Sequence, residues 1–134
     1  MMANYIYPAV FHAEEVGGYS VKFPDLLGCV TEGDSLAEAL EMAQDAMGIY
    51  LYSLDEDGEE YPNPSNPANI SLNDGEFTAL IEWDKIAYLK KTDNKAIKKT
   101  LTIPSWLNSL AEKENVNFSQ ILQSALIEKL VNKP

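Results

Sequence analysis

The chain has 134 residues, one cysteine and a net charge of −11, and this charge is unevenly divided. Residues 1–84 carry seventeen acidic side chains and one lysine, whereas residues 85–134 carry nine lysines and four acids, so the composition favours two small domains and argues against a nucleic-acid surface on the first. The single cysteine excludes an intrachain disulfide, and no apolar run approaches the roughly 20 residues of a membrane span, so we expect a cytoplasmic protein with no membrane partner.

The first predicted elements are strands. Residues 1–5 lack the positively charged and apolar segments of a secretory signal, so none is expected. Tyr5 to His12 is rich in aromatic and branched residues, Gly17-Gly18 supplies a turn, and Tyr19 to Phe23 alternates, which predicts a β-hairpin. Residues 24–28 form a second tight connection, and a short third strand is predicted from Cys29 to Thr31.

A long helix is predicted after the third strand. Ser35-Leu36-Ala37-Glu38 has the form of a capping box, in which a serine caps the helix start. Apolar residues then recur at helical spacing over about five turns and predict a face that covers the sheet. These residues are Leu36, Leu40, Ala43, Met47, Leu51 and Leu54.

The rest of the acidic half predicts one more strand. The acidic run 55–60 ends the helix, the proline-rich run 61–67 is not expected to be regular, and Phe77 to Trp83 has a strand pattern. Residues 85–95 read as a connection. The predicted organisation is therefore a domain of residues 1–84, a linker of residues 85–95 and a domain of residues 96–134.

Residues 18–35, with the sequence GYSVKFPDLLGCVTEGDS, followed by Glu38-Ala39-Leu40, closely resemble the N-terminal domain of HicB-type antitoxins. They match a glycine-tyrosine hairpin, a phenylalanine-proline-aspartate-leucine turn and a glycine-aspartate lead into the helix. This resemblance implies a partial RNase H-like βββαβ domain in an α+β protein. It also implies binding to a small basic HicA-type toxin, an RNA-cleaving protein, whose active surface the antitoxin masks.

A different pattern follows near the C-terminus. In Lys98-Lys99-Thr100-Leu101-Thr102-Ile103-Pro104 the residues alternate, so Lys98, Thr100 and Thr102 share one face of a predicted strand and Leu101 and Ile103 the other. Pro104 is compatible with the strand end, and Ser105 is a plausible N-cap for a helix from Trp106 to Glu114. Asn117 opens a second predicted helix that reaches Val131.

This order of one strand and two helices resembles a ribbon-helix-helix (βαα) module. Such a small unit buries too little surface alone, so we expect a homodimer through the C-terminal domain. Its two strands would pair as a ribbon in the major groove of operator double-stranded DNA, with Lys98, Thr100 and Thr102 facing base edges. Phe118 and Ser119, at the start of the second helix, would hold a phosphate. Some relatives carry a helix-turn-helix instead, but the strand favours the ribbon.

The RNase H-like resemblance also raises an enzyme hypothesis. Two-metal nuclease chemistry needs several carboxylates that converge on the metal ions. Asp25, Asp34, Glu14 and Glu15 are available, but no convergent spacing is visible among them. His12 has no companion for a metal site, and Cys29 is expected to be a buried, inert thiol. We therefore expect no enzymatic activity, no catalytic residue, no cofactor and no metal.

The leading hypothesis is an antitoxin that neutralises a HicA-type toxin and represses its own operon as a dimer. The alternative is a stand-alone ribbon-helix-helix repressor whose acidic domain senses a ligand or oligomerises. A reading frame for a small basic protein beside this gene would favour the antitoxin. The sequence leaves open the toxin-binding residues, the toxin stoichiometry, the operator sequence and whether dimers pair into tetramers.

Overall fold

In the computed structural model, residues 4–93 and 95–132 are described. Residues 1–3, 94 and 133–134 lie outside these ranges. The first three belong to the segment in which no secretory signal is expected, and residue 94 belongs to the predicted linker. The strands are β1 (Asn4–Ala13), β2 (Tyr19–Lys22), β3 (Val30–Gly33) and β4 (Glu76–Asp84). The helices are α1 (Leu36–Glu56), α2 (Lys85–Thr92), α3 (Ser105–Lys113) and α4 (Phe118–Leu130). Within the described ranges, no helix has the length and apolar character needed to cross a membrane.

The four strands form one antiparallel sheet in the order β3-β2-β1-β4, so β3 and β4 are the edges. β1 pairs along its length with β4, Tyr7 opposite Ile81, and its second half pairs with β2, Val10 opposite Lys22. Gly17 and Gly18 in the hairpin turn have φ of 96° and 82°, a backbone conformation that favours glycine. The predicted succession of three strands, a helix and a fourth strand is confirmed.

Helix α1 begins where the sequence predicts, because the Ser35 hydroxyl accepts a hydrogen bond from the Glu38 amide at 3.1 Å. The predicted buried face is partly wrong, since Leu36 and Leu40 are exposed. Small residues make the contact instead, because the helix lies so close to β3 that a Cβ on Gly33 would be 2.5 Å from the Ala39 nitrogen. The buried residues of α1 are Ala39, Ala43, Met47, Gly48 and Leu51.

The core of this unit lies between α1 and one side of the sheet. Alternation along β1 places Tyr7, Ala9 and Phe11 against it. β4 contributes Ile81 and Trp83. The Trp83 ring packs over Gly48, where an added Cβ would lie 2.6 Å from the indole nitrogen. Together with Val21 of β2, these residues make one apolar layer that α1 shares with the strands β1, β2 and β4.

The predicted connection of residues 85–95 contains a helix, α2, over residues 85–92. The Asp84 carboxylate accepts a hydrogen bond from the Ala87 amide at 3.0 Å and so caps the helix start. Because Asp84 is also the last residue of β4, the strand pattern alone gave no indication that Asp84 caps a helix. The chain divides into two compact units, residues 4–88 and the described residues from 89 onward.

In the second unit, both predicted helices are confirmed, but one of the predicted caps is wrong. Helix α3 already includes Ser105; Pro104 precedes it, with no side-chain cap. Asn117 caps α4 as predicted, because its side chain accepts a hydrogen bond from the Gln120 amide at 3.0 Å. Between the helices, Asn115 has φ of 54°, and the Val116 amide bonds to the Ala111 carbonyl, which closes a Schellman turn.

The segment 95–104 has no regular secondary structure in this single chain. A strand is defined by the hydrogen bonds that it exchanges with a neighbouring strand, and the predicted ribbon takes that neighbour from a second copy. The predicted strand Lys98–Pro104 therefore stays a prediction about the dimer.

Candidate functional site

The candidate binding surfaces of the first unit are strongly acidic. From Val30 to Leu54 the chain has five carboxylates and no basic residue. This stretch forms the edge strand β3 and most of α1. The field near these two elements therefore attracts cations and repels phosphates.

A groove of about 830 Å³ lies in the same unit. It is lined by residues of all four strands and by one residue of α1, Met42. At one point in it, His12 Nδ1 lies 3.6 Å from Glu76 Oε2, and Glu76 Oε1 accepts a hydrogen bond from the Asn73 amide. The remaining lining residues are Val10, Ser20, Val21, Lys22, Val30, Thr31 and Glu32. The groove thus combines apolar side chains with two carboxylates, a lysine and a histidine, and it reaches from the sheet to the side of α1.

Asp25, a candidate nuclease carboxylate, has a structural partner. Its carboxylate accepts hydrogen bonds from the Ser65 amide, at 2.8 Å, and from the Ser65 hydroxyl. These bonds tie the turn after β2 to the proline-rich segment 61–67. The Tyr7 hydroxyl, which donates to the Pro62 carbonyl at 2.5 Å, holds the same segment. Burial raises the pKa of Tyr7, so this donor stays protonated at neutral pH.

A second cluster fixes the other end of that segment. The Tyr61 hydroxyl donates to the Asp55 carboxylate at 2.7 Å, and Lys85 Nζ lies 2.9 Å from the same carboxylate. Burial and the hydrogen bond to Asp55 raise the pKa of Tyr61. Burial alone would raise the pKa of Asp55, but the bonds from Tyr61 and Lys85 outweigh it and hold the pKa below its ordinary value. The sequence reasoning missed this cluster, because Lys85 lies far along the chain from the Asp55–Tyr61 pair.

The four nuclease candidates are not brought together as a metal site. Within residues 4–93 and 95–132, no group of three or more histidine, cysteine or acidic side chains is arranged to hold a metal ion. Glu14 accepts a hydrogen bond from the Ser20 hydroxyl at 2.7 Å, as Asp25 does from Ser65. Two of the four carboxylates therefore serve local structure.

Cys29 is buried, as the sequence predicts. Burial raises the pKa of its thiol to about 11, so the nucleophilic thiolate is a minor species at neutral pH. This position favours a packing role.

The predicted DNA-binding residues all lie in the second unit. Lys98, Thr100 and Thr102 are exposed on the segment 95–104. Phe118 and Ser119 are the first two residues of α4, and both are exposed. At this end of the helix, the Gln120 amide bonds to the Asn117 side chain and the Ile121 amide to the Asn117 carbonyl. The amides of Phe118 and Ser119 precede these in the first turn, where helical N–H groups have no intrahelical acceptor.

Helices α3 and α4 expose an unusual amount of apolar surface. None of the described residues 95–132 is buried. Exposed large side chains include Leu107 and Leu110 of α3 and Ile121, Leu126 and Leu130 of α4. Apolar stripes of this kind normally pack against another element.

The carboxylates therefore lie mostly in the first unit, whereas residues 85–134 carry an excess of lysines. Charge of opposite sign attracts partners of opposite sign.

Comparison with known proteins assigns the family. A family model described as the HicB-like antitoxin of bacterial toxin-antitoxin systems matches residues 7–130. An uncharacterised 14.9 kDa protein from the rep-hol intergenic region of Haemophilus phage HP1 is 36% identical over 90 residues, which are 67% of each chain. Antitoxin HicB 1 of Photorhabdus laumondii is 42% identical over 64 residues, which are 48% of this chain and 41% of that antitoxin. The match to this antitoxin therefore spans less than half of its length.

A solved structure agrees over nearly the whole chain. One chain of the toxin-antitoxin complex from Streptococcus pneumoniae superimposes with a TM-score of 0.61 at 32% identity, covering 94% of this chain and 99% of that one. Since the family model matches well over half of the sequence, the chain belongs to the HicB-like antitoxins of bacterial toxin-antitoxin systems. The resemblance seen in residues 18–40 is thereby confirmed, and membership of an antitoxin family favours a regulatory role over catalysis.

Proposed function

We propose that this protein neutralises a small basic HicA-type toxin by direct binding in the cytoplasm and represses its own operon as a dimer. The observation that carries the proposal is the match of residues 7–130 to the HicB-like antitoxin family. In this account, residues 1–84 form a partial RNase H-like toxin-binding domain, residues 85–95 connect the domains, and residues 96–134 form a ribbon-helix-helix domain.

Toxin binding is supported by the charge of the first unit and by a solved relative. The similar Streptococcus pneumoniae chain comes from a toxin-antitoxin complex. An acidic surface attracts a basic RNA-binding protein and competes with RNA for the same basic side chains. Inhibition then follows from occlusion and requires no chemical step.

Dimerisation is supported by the exposed helices of the second unit. A second copy would cover the apolar side chains of α3 and α4, which one chain leaves exposed. It would also supply the partner for the segment 95–104, because two antiparallel copies can exchange backbone hydrogen bonds. Pairing of such dimers into tetramers is compatible with this arrangement.

Operator binding is the second half of the proposal. In the paired ribbon, Lys98, Thr100 and Thr102 of each copy face base edges in the major groove. Phe118 and Ser119 present backbone N–H groups and the positive end of the α4 dipole to a phosphate. The ribbon reads the sequence, and the helix start fixes the position of the protein on the duplex.

The alternative is a stand-alone repressor with an acidic sensing or oligomerisation domain. The groove of about 830 Å³ in the first unit could accept a small ligand, which is what a sensing domain needs. A gene for a small basic protein next to this one favours the antitoxin, and the lack of such a gene favours the repressor.

Growth rescue tests the proposed function. Expression of the small basic protein from the adjoining gene should arrest bacterial growth, and co-expression of the full chain should restore it, because the bound toxin no longer reaches RNA. Colony counts measure both effects, with an empty vector as the control. A stand-alone repressor would give no rescue.

A further inference from the structure

The outer side of α1 carries a stripe of alternating acidic and apolar side chains. Glu38, Met42, Asp45 and Ile49 follow spacings of four, three and four residues, so they share one side of the helix. All four are exposed, Met42 by 40% and Ile49 by 62%. The buried contact of α1 uses other residues, so the core does not explain why apolar side chains stand here between carboxylates.

The edge strand β3 adjoins this stripe at Met42. Thr31 pairs with the core residue Val21 and faces α1, so the neighbouring side chains of Val30 and Glu32 point to the other side of the sheet, around its edge. β3 lies at one edge of the sheet, and its Val30 is 67% exposed. Val30 and Glu32 line the groove that Met42 also lines, so the strand edge and the side of α1 adjoin. An exposed edge strand leaves backbone hydrogen-bonding groups without a strand partner, which makes it a natural place for another chain to bind.

The six residues Val30, Glu32, Glu38, Met42, Asp45 and Ile49 are called the β3–α1 surface. The charge and the apolar side chains of this surface decide which kind of molecule can bind there. The region from Val30 to Leu54 has no basic residue, so a second copy of this surface would bring like charges together, and DNA would be repelled. A basic protein meets the carboxylates with lysine and arginine, while Val30, Met42 and Ile49 offer apolar contacts that exclude water.

We propose that the β3–α1 surface is where the basic toxin docks on this antitoxin. The inference rests on the proposed function and adds the place of contact, which the sequence left open. The carboxylates speed the encounter, and the central apolar side chains slow dissociation.

The first test compares two equally exposed apolar residues in the full-length protein. Ile49 is 62% exposed on α1, and Leu80 is 58% exposed on the opposite edge strand, β4. Ile49→Lys should weaken binding of the purified toxin from the adjoining gene on the order of 30- to 100-fold, the size of one interface hot spot. Leu80→Lys should leave affinity within about threefold of the parent protein, because it lies away from the contact.

The second test uses charge alone. Glu38→Lys with Asp45→Lys should reduce the association rate and flatten its salt dependence, because steering attraction is lost. Glu59→Lys with Glu60→Lys changes the net charge equally in an exposed loop and should have a smaller effect on both. Thermal unfolding of each variant checks that the unit of residues 4–88 stays folded.

The outcomes separate this inference from the proposed function. If the parent protein does not bind the toxin, the proposed function fails. If the parent protein binds and the Ile49 and Glu38/Asp45 variants bind as well as it does, the docking surface is wrong while the antitoxin function stands. A large loss of toxin affinity with Leu80→Lys alone would show that the toxin binds at the β4 edge, and this result would overturn the inference.

Discussion

Gly33→Ala is expected to destabilise the unit of residues 4–88 by about 3 kcal/mol, the upper part of the usual range for overpacking. The added Cβ would lie 2.5 Å from the Ala39 nitrogen and 2.7 Å from the Ala39 Cα. Both are backbone atoms of α1, so no side chain can rotate away, and the helix itself must move off the sheet. Toxin binding should weaken as well, because β3 and α1 carry the proposed docking surface.

Urea unfolding followed by tryptophan fluorescence measures this effect. Trp83 is buried in the unit of residues 4–88 and Trp106 is exposed in the other, so a Trp106→Phe background reports on the first unit alone. Gly58→Ala is the control. An added Cβ at Gly58 meets no atom within 4 Å, so the only cost comes from its φ of +68°. It should cost about 1 kcal/mol through its left-handed backbone. Equal stability losses in the two variants would show that α1 does not lie as close to β3 as described.

Lys98→Ala combined with Thr100→Ala is expected to abolish operator binding while leaving toxin binding intact. The dimer would lose both side chains from each of two strands, and each good base contact contributes about 1–3 kcal/mol of discrimination. The loss of two positive charges per dimer also weakens attraction to phosphates. A gel shift with the promoter fragment of the operon measures the first property, and a pull-down with the toxin measures the second.

Lys129→Ala with Ser124→Ala is the matched control for that experiment. It removes the same charge and one hydroxyl from exposed positions on α4, outside the segment 95–104. Its operator affinity should stay close to that of the parent protein. Unchanged operator affinity in the Lys98/Thr100 variant would rule out the ribbon as the reading element.

The elements of the first unit could be predicted because local signals and tertiary structure agree there. Gly17-Gly18 marks the hairpin turn, and the Ser35 cap marks the start of α1. The buried face of α1 was less predictable, because hydrophobicity favours leucine over alanine as a core residue. Close approach to Gly33 reverses that preference, and only the three-dimensional packing of helix on strand reveals it.

The candidate site was harder to predict than the fold. The bond between Asp25 and Ser65 joins residues 40 positions apart, and no local pattern announces it. The stripe on α1 was hidden for a different reason, since Met42 and Ile49 look like core residues in a sequence and are exposed in the structure. The proposed ribbon strand would pair with a second chain, so neither the local pattern nor the single chain fixes its pairing.

Direct binding of the toxin is the central claim. The full chain, carrying an affinity tag, should be co-expressed with the small basic protein of the adjoining gene, and the purified material sized by light scattering after gel filtration. We expect one stable complex, whose mass exceeds that of the antitoxin assembly by a whole number of toxin chains. Separate elution of the two proteins, with the antitoxin alone at its own assembly mass, would contradict the account.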